Sequence, residues 1–187
     1  MTRYVALLRG INLGGRNKVA MADLRQLATA LGHTEVATYI QSGNLVFSSD
    51  ADDPIALADA LEAEIAAKIG VRSAVVVLSH ADVAQVIADN PFSEEPNPKA
   101  LHAVLHRDPV SAERIAAVAA AEERARAKGC LDEAAVVGRT LFMHTPDGMG
   151  RSELAAQLAR SVIKTEGTAR NWATVSRLLE MLDPEAA

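Results

Sequence analysis

The chain has 187 residues and a net charge of −5, from 24 Asp and Glu against 19 Lys and Arg. Its lone cysteine, Cys130, cannot form an internal disulfide or build a cysteine zinc or iron–sulfur site, and the acidic balance argues against broad, non-specific coating of nucleic acid. Met1–Arg9 is too short and too polar for a signal peptide, and no apolar run approaches the length that spans a bilayer. A cytoplasmic protein with no membrane partner is therefore expected. The apolar fraction of 49% contains 36 alanines, and only Tyr4, Tyr39, Phe47, Phe92, Phe142 and Trp172 are aromatic, so Leu, Val and Ile must supply the bulk of any core.

In chain order, Tyr4–Leu8 reads as a buried strand, followed by the glycine-rich loop of residues 9–18. Met21–Leu31 carries apolar residues at spacings of three and four, which predicts a helix ended by Gly32. Val36–Ile40 and Leu45–Ser48 are strand-like runs around Gln41-Ser42-Gly43-Asn44. Asp53 before Pro54 predicts a helix start, with the stripe Leu57, Leu61, Ile65 and Ile69 closed by Gly70. Ser73–Leu78 is the next strand, and Ser79 with Asp82 makes a capping-box pair for another helix. This order, β-α-β-β-α-β plus a helix, is a ferredoxin-like α+β plan over residues 1–90.

Pro91, Pro96 and Pro98 mark 91–99 as a Pro-rich linker, after which a second α+β subdomain over 100–187 is predicted. Its elements are a strand at Leu101–His106, a helix at Ser111–Lys128 closed by Gly129, a hairpin of Ala134–Val137 and Thr140–His144, and helices at Ser152–Lys164 and Ala169–Leu182. The second half thus reads β-α-β-β-α-α, with a helix capped by Thr168 where a fourth strand would complete the plan.

Four loops carry the candidate chemistry. The first sets Arg9, Asn12, Gly14, Gly15, Arg16 and Lys18 within ten residues. Glycines let the backbone turn left-handed and expose N–H groups, and Arg and Lys complete an anion cradle; the spacing is neither a Walker loop nor a dinucleotide fingerprint. In the second, Gln41, Ser42 and Asn44 either read a ligand's polar edge or close a hairpin. The third runs from His144 through Asp147 to Gly150, Arg151 and Ser152. Here a helix start and an arginine fork offer donors to phosphate or carboxylate, and His144 with Asp147 is the one nearby acid–base pair. In the fourth, Arg170 and Asn171 stand at a predicted helix start. His102 and His106, on a strand, sit about 13 Å apart at about 3.3 Å per residue, too far to share a metal, so no metal or cofactor is expected.

The four motifs coincide, in order, with a known pattern. Tyr4-Val5-Ala6-Leu7-Leu8-Arg9-Gly10-Ile11-Asn12-Leu13-Gly14-Gly15, then Thr38-Tyr39-Ile40-Gln41-Ser42-Gly43-Asn44, His144-Thr145-Pro146-Asp147-Gly148-Met149-Gly150-Arg151-Ser152 and Thr168-Ala169-Arg170-Asn171-Trp172 resemble the bacterial family known as domain of unknown function 1697. The resemblance implies an α+β protein of ferredoxin-like character and brings no activity with it. Three functional expectations stand side by side. In the first, the loops bind a phosphate-bearing small molecule or a short nucleic acid. In the second, His144 and Asp147 serve an enzyme whose arginines steady an anionic substrate. In the third, the chain is a homodimeric interaction protein and the loops are folding determinants.

Overall fold

Short polar side chains at helix starts set many of the element boundaries. A computed structural model describes residues 1–161 and 167–183. Its first elements are β1 (Thr2–Leu8), α1 (Met21–Ala30), β2 (Thr34–Tyr39), β3 (Asn44–Ser49), α2 (Pro54–Ile69), β4 (Val75–Ser79) and α3 (His80–Ala88). The Asp53 carboxylate accepts the Ile55 N–H at 2.8 Å ahead of Pro54, and Gly70 closes α2 at φ 75°. Ser79 and Asp82 exchange hydrogen bonds as a capping box, with Ser79 N–H and Oγ each 2.8 Å from the Asp82 carboxylate.

The second series is β5 (Leu101–Leu105), α4 (Ala112–Arg126), β6 (Glu133–Val137), β7 (Thr140–His144), a 3-10 turn at Met149–Arg151, α5 (Glu153–Ser161), β8 (Thr168–Asn171) and α6 (Trp172–Leu182). Ser111 caps α4 through the Arg114 N–H at 3.3 Å. The predicted helix from Ser152 is α5, and its remainder as far as Lys164 lies outside the described residues. Thr168 does not cap a helix. Thr168–Asn171 is instead the fourth strand, paired with β5 through Leu105↔Thr168 and Ala103↔Arg170. Asn171 is the true cap, its Oδ1 accepting the Thr174 N–H at 2.8 Å. The second half is therefore β-α-β-β-α-β followed by a helix, and the predicted β-α-β-β-α-α order is corrected.

Two antiparallel sheets result, in the orders β2-β3-β1-β4 and β6-β7-β5-β8, so the ferredoxin-like strand order occurs twice. The chain divides into two compact units, Val86–Ser176 and Met1–Gln85 with the chain from Arg177 on. Residues 91–99 fall inside the Val86–Ser176 unit. In the first sheet, Tyr4, Ala6, Leu8, Leu45 and Phe47 pack with Leu24 and Leu27 of α1 and Leu57, Leu61 and Ile65 of α2. The alternate residues Val5, Leu7, Val46, Val76 and Leu78 are buried as well, which is why these strands read as continuous apolar runs. In the second sheet, Val104, Leu141 and Met143 pack with Val118 and Ala121 of α4 and Leu154 and Leu158 of α5. No described helix is long and apolar enough to cross a membrane.

His102, two residues before Val104 on β5, shares that inner face. Its buried Nδ1 has no hydrogen-bond partner, and burial lowers its pKa below the ordinary histidine value. Protonation therefore costs the fold nothing above about pH 6.5, the unfolded value, and destabilises it increasingly as pH falls from there toward the lower folded pKa. His102→Leu is expected to stabilise the fold by about 1 kcal/mol at pH 7 and to flatten the decline below pH 6.5. Urea midpoints measured across that range check this, and an unchanged pH slope would contradict it.

Candidate functional site

Three segments of the first unit emerge at one end of its sheet. β1 runs antiparallel to β3 and β4, so the end of β1 meets the starts of both neighbours. Leu8 N–H donates to Gly43 O at 2.8 Å on one side, and Arg9 N–H donates to Ala74 O at 2.9 Å on the other. Ser73 adds a clamp, its Oγ accepting from Arg9 N–H at 3.0 Å and donating to Arg9 O at 2.8 Å.

The 9–18 loop is a small hairpin with a turn at Gly14-Gly15. Leu13 bridges Arg16, and the two glycines take φ 55° and 80°, the left-handed pair a tight hairpin turn requires. Asn12 is its internal fastener. Asn12 Nδ2 donates to Val19 O and to Gln41 O, each at 2.9 Å, while its Oδ1 accepts the Val19 N–H at 2.9 Å. Asn17 Nδ2 reaches Gly10 O at 3.1 Å. The bond from Asn12 to Gln41 O stitches the hairpin to the 40–43 turn. There Asn44, fully buried, donates to Tyr39 O and Ser42 Oγ, each at 3.0 Å.

Asn44 thus closes the hairpin, one of the two roles expected of it, and Asn12, expected within the anion cradle, holds the loop together. Gln41, Gly14, Gly15, Arg16 and Lys18 are exposed, while Arg9 and Ser42 are half-buried. The structure adds Arg72, exposed in the 70–74 segment and missed from the sequence. Segments 9–18, 40–44 and 70–74 together carry Arg9, Arg16, Lys18 and Arg72 and no Asp or Glu. Arg72 also lines a groove of about 680 Å³ together with Asp59 and Glu62 of α2, and the Glu62 carboxylate accepts the Val75 N–H at 2.7 Å. Glu35, near the start of β2, and Asp50, Asp52 and Asp53, after β3, stand at the opposite end of the sheet, where Arg3 pairs with Glu35 at 3.4 Å.

In the second unit the candidates do different work. His144 does not pair with Asp147: its Nε2 lies 2.8 Å from Glu95 and its Nδ1 3.3 Å from Glu133, with the Phe92 ring 5.5 Å away. Asp147 is exposed on the turn. The Asn97 backbone N–H and then His144 hold the Glu95 carboxyl below the usual carboxylate range. Ser152 is buried as the cap of α5, its Oγ accepting the Ala155 N–H at 2.7 Å and donating to Asp132 at 2.6 Å. Arg170 is 7% exposed and donates to Thr168 Oγ1 and Ala169 O, and burial lowers its pKa to about 10, so it stays charged near neutrality. Asn171 caps α6. Ser152 and Arg170 are therefore buried structural groups, whereas Gly150, Arg151 and Asn171 are exposed, Asn171 with its Oδ1 taken by the cap.

The family model described as "Protein of unknown function (DUF1697)" matches residues 1–142. The chain belongs to the DUF1697 family. The match includes all three segments at the basic end of the first sheet and stops before the His144–Ser152 and Thr168–Trp172 motifs. The conserved bacterial protein SP0830 from Streptococcus pneumoniae is similar in structure over 97% of this chain and 99% of its own, with 26% identity and a TM-score of 0.73. No match is found among the curated proteins. Both halves of this DUF1697 chain thus have a counterpart in a solved fold, and its chemistry rests on its own residues.

Proposed function

We propose that this chain binds a phosphate-bearing ligand at the basic end of the first unit, as a cytoplasmic binding protein. The observation that carries the reading is the stitching of three segments with four basic residues and no acid into one end of one sheet. Rigid loops lower the ordering cost of binding, because the cations and backbone N–H groups are placed beforehand. Arg16 and Lys18 stand on the exposed face of the hairpin, where guanidinium and ammonium groups donate to phosphate oxygens. Gly14 and Gly15 let a ligand come close to the backbone.

Titration of the protein with inorganic pyrophosphate and with AMP, followed by calorimetry, tests the reading. Binding that weakens as salt rises is expected, and Arg16→Ala with Lys18→Ala should weaken it by about tenfold or more, since each charge-assisted bond contributes about 1.5–3 kcal/mol. Equal binding by this double variant would sink the assignment.

A further inference from the structure

Two large aliphatic side chains stand on the same loops, and a lone phosphate has no use for them. Leu13 is 67% exposed at the hairpin and Ile40 is 51% exposed at the neighbouring turn. They flank the hydrogen bond from Asn12 to Gln41 O. Ile40 also holds φ 47°, a left-handed conformation that a β-branched residue rarely adopts, so the turn keeps an exposed apolar group in a strained position. The segments at this end of the sheet are spread as well. Gly43 and Ala74 lie on either side of β1, about 10 Å apart by two inter-strand spacings, and Arg72 adds an exposed cation on the Ala74 side, at the rim of the groove that also holds Asp59 and Glu62. That spacing is wider than one phosphate.

Resting on the reading above, we infer that the ligand is a single strand of nucleic acid, its phosphates on Arg16, Lys18 and Arg72 and its bases against Leu13 and Ile40. A single strand combines a repeating anion with apolar faces open to contact, whereas a duplex keeps those faces stacked inside. A mononucleotide supplies one base and a compact phosphate, and so leaves part of this surface unused.

Fluorescence anisotropy with labelled DNA and RNA strands of about 12 nucleotides, the matching duplex, AMP and pyrophosphate tests the inference. Single strands are expected to bind about tenfold or more tightly than AMP or the duplex. Arg72→Ala should lower the slope of log affinity against log salt by about 0.7. Leu13→Ser and Ile40→Asn should each weaken strand binding by about fivefold and leave pyrophosphate binding unchanged. Asparagine tolerates the left-handed backbone, so Ile40→Asn should lose binding while its melting temperature holds or rises, which separates contact from folding. Leu13→Ser gives the same test at a position without that strain. Pyrophosphate binding with no preference for strands, or strand binding indifferent to Leu13 and Ile40, overturns this inference and leaves the phosphate reading standing. Binding of neither overturns both.

Discussion

Gly43→Ala is expected to destabilise the first unit by about 3 kcal/mol or more, the largest effect of any single methyl group in these loops. Two costs add. Gly43 sits at φ 77°, where an L side chain is strained, at about 1–2 kcal/mol. A Cβ there would also lie 2.7 Å from Ile11 Cδ1 and 2.8 Å from Leu8 Cβ. Ile11 is buried and has little room to retreat, and Leu8 Cβ is fixed by β1 itself. Overpacking of this kind costs about 1–3 kcal/mol. The matched control is Gly14→Ala, which meets the same backbone penalty at φ 55° with nothing within 4 Å of its new Cβ. It should lose only about 1–2 kcal/mol. Urea denaturation followed by far-ultraviolet circular dichroism compares the two, and equal losses would show that the close approach of the 40–43 turn to β1 is not the decisive contact. Because Gly43 O receives the Leu8 N–H, the same variant should also displace the turn that carries Gln41 and weaken pyrophosphate binding.

Asp132→Ala is the second large effect, expected at about 2–3 kcal/mol. The Asp132 carboxylate is buried and accepts from Ser152 Oγ at 2.6 Å and from Cys130 Sγ at 2.9 Å. It thereby fixes the hydroxyl that caps α5. Removing it leaves a buried hydroxyl and a half-buried thiol without their acceptor, and loosens the cap on Ala155. Trp172, the one tryptophan of the chain, lies in the same unit with its ring 6.3 Å from Phe142, so its fluorescence reads the loss directly. An unchanged denaturation midpoint would show that Asp132 is not what holds this cap.

Much of the fold was legible because capping chemistry is local. Asp53-Pro54 and Ser79 with Asp82 each announced a helix in the sequence and each makes the bond expected of it. Strand β8 was not legible, for a physical reason. Four residues, Thr168 to Asn171, carry too little periodicity to separate a strand from a helix start, and pairing with β5 decides between them. Thr168 and Asn171 are both good capping residues, so the sequence alone could not say which one caps.

The site was legible in its location and less so in its roles. A short amide side chain can face a ligand or its own loop, and only the folded backbone shows that Asn12 and Asn44 face inward. The same holds for Arg170, whose place on a strand turns it into the buried layer. Arg72 was overlooked because it stands alone between Val71 and Ser73 with no motif around it. The predicted topology held the missing clue: in a β-α-β-β-α-β plan the loop after the first strand, the hairpin turn and the segment before the fourth strand leave the sheet at one end. That reasoning puts Arg72 beside Arg9 without any appeal to motif.

The most direct measurement is an amide chemical-shift titration of the isotopically labelled protein with pyrophosphate. The account predicts that the shifting N–H groups concentrate in Gly10–Lys18, Gln41–Gly43 and Val71–Ser73, and that they stop shifting when Arg16 and Lys18 are exchanged for alanine. Shifts confined to Gly148–Glu153, or no saturable shifts in those three segments, would contradict it.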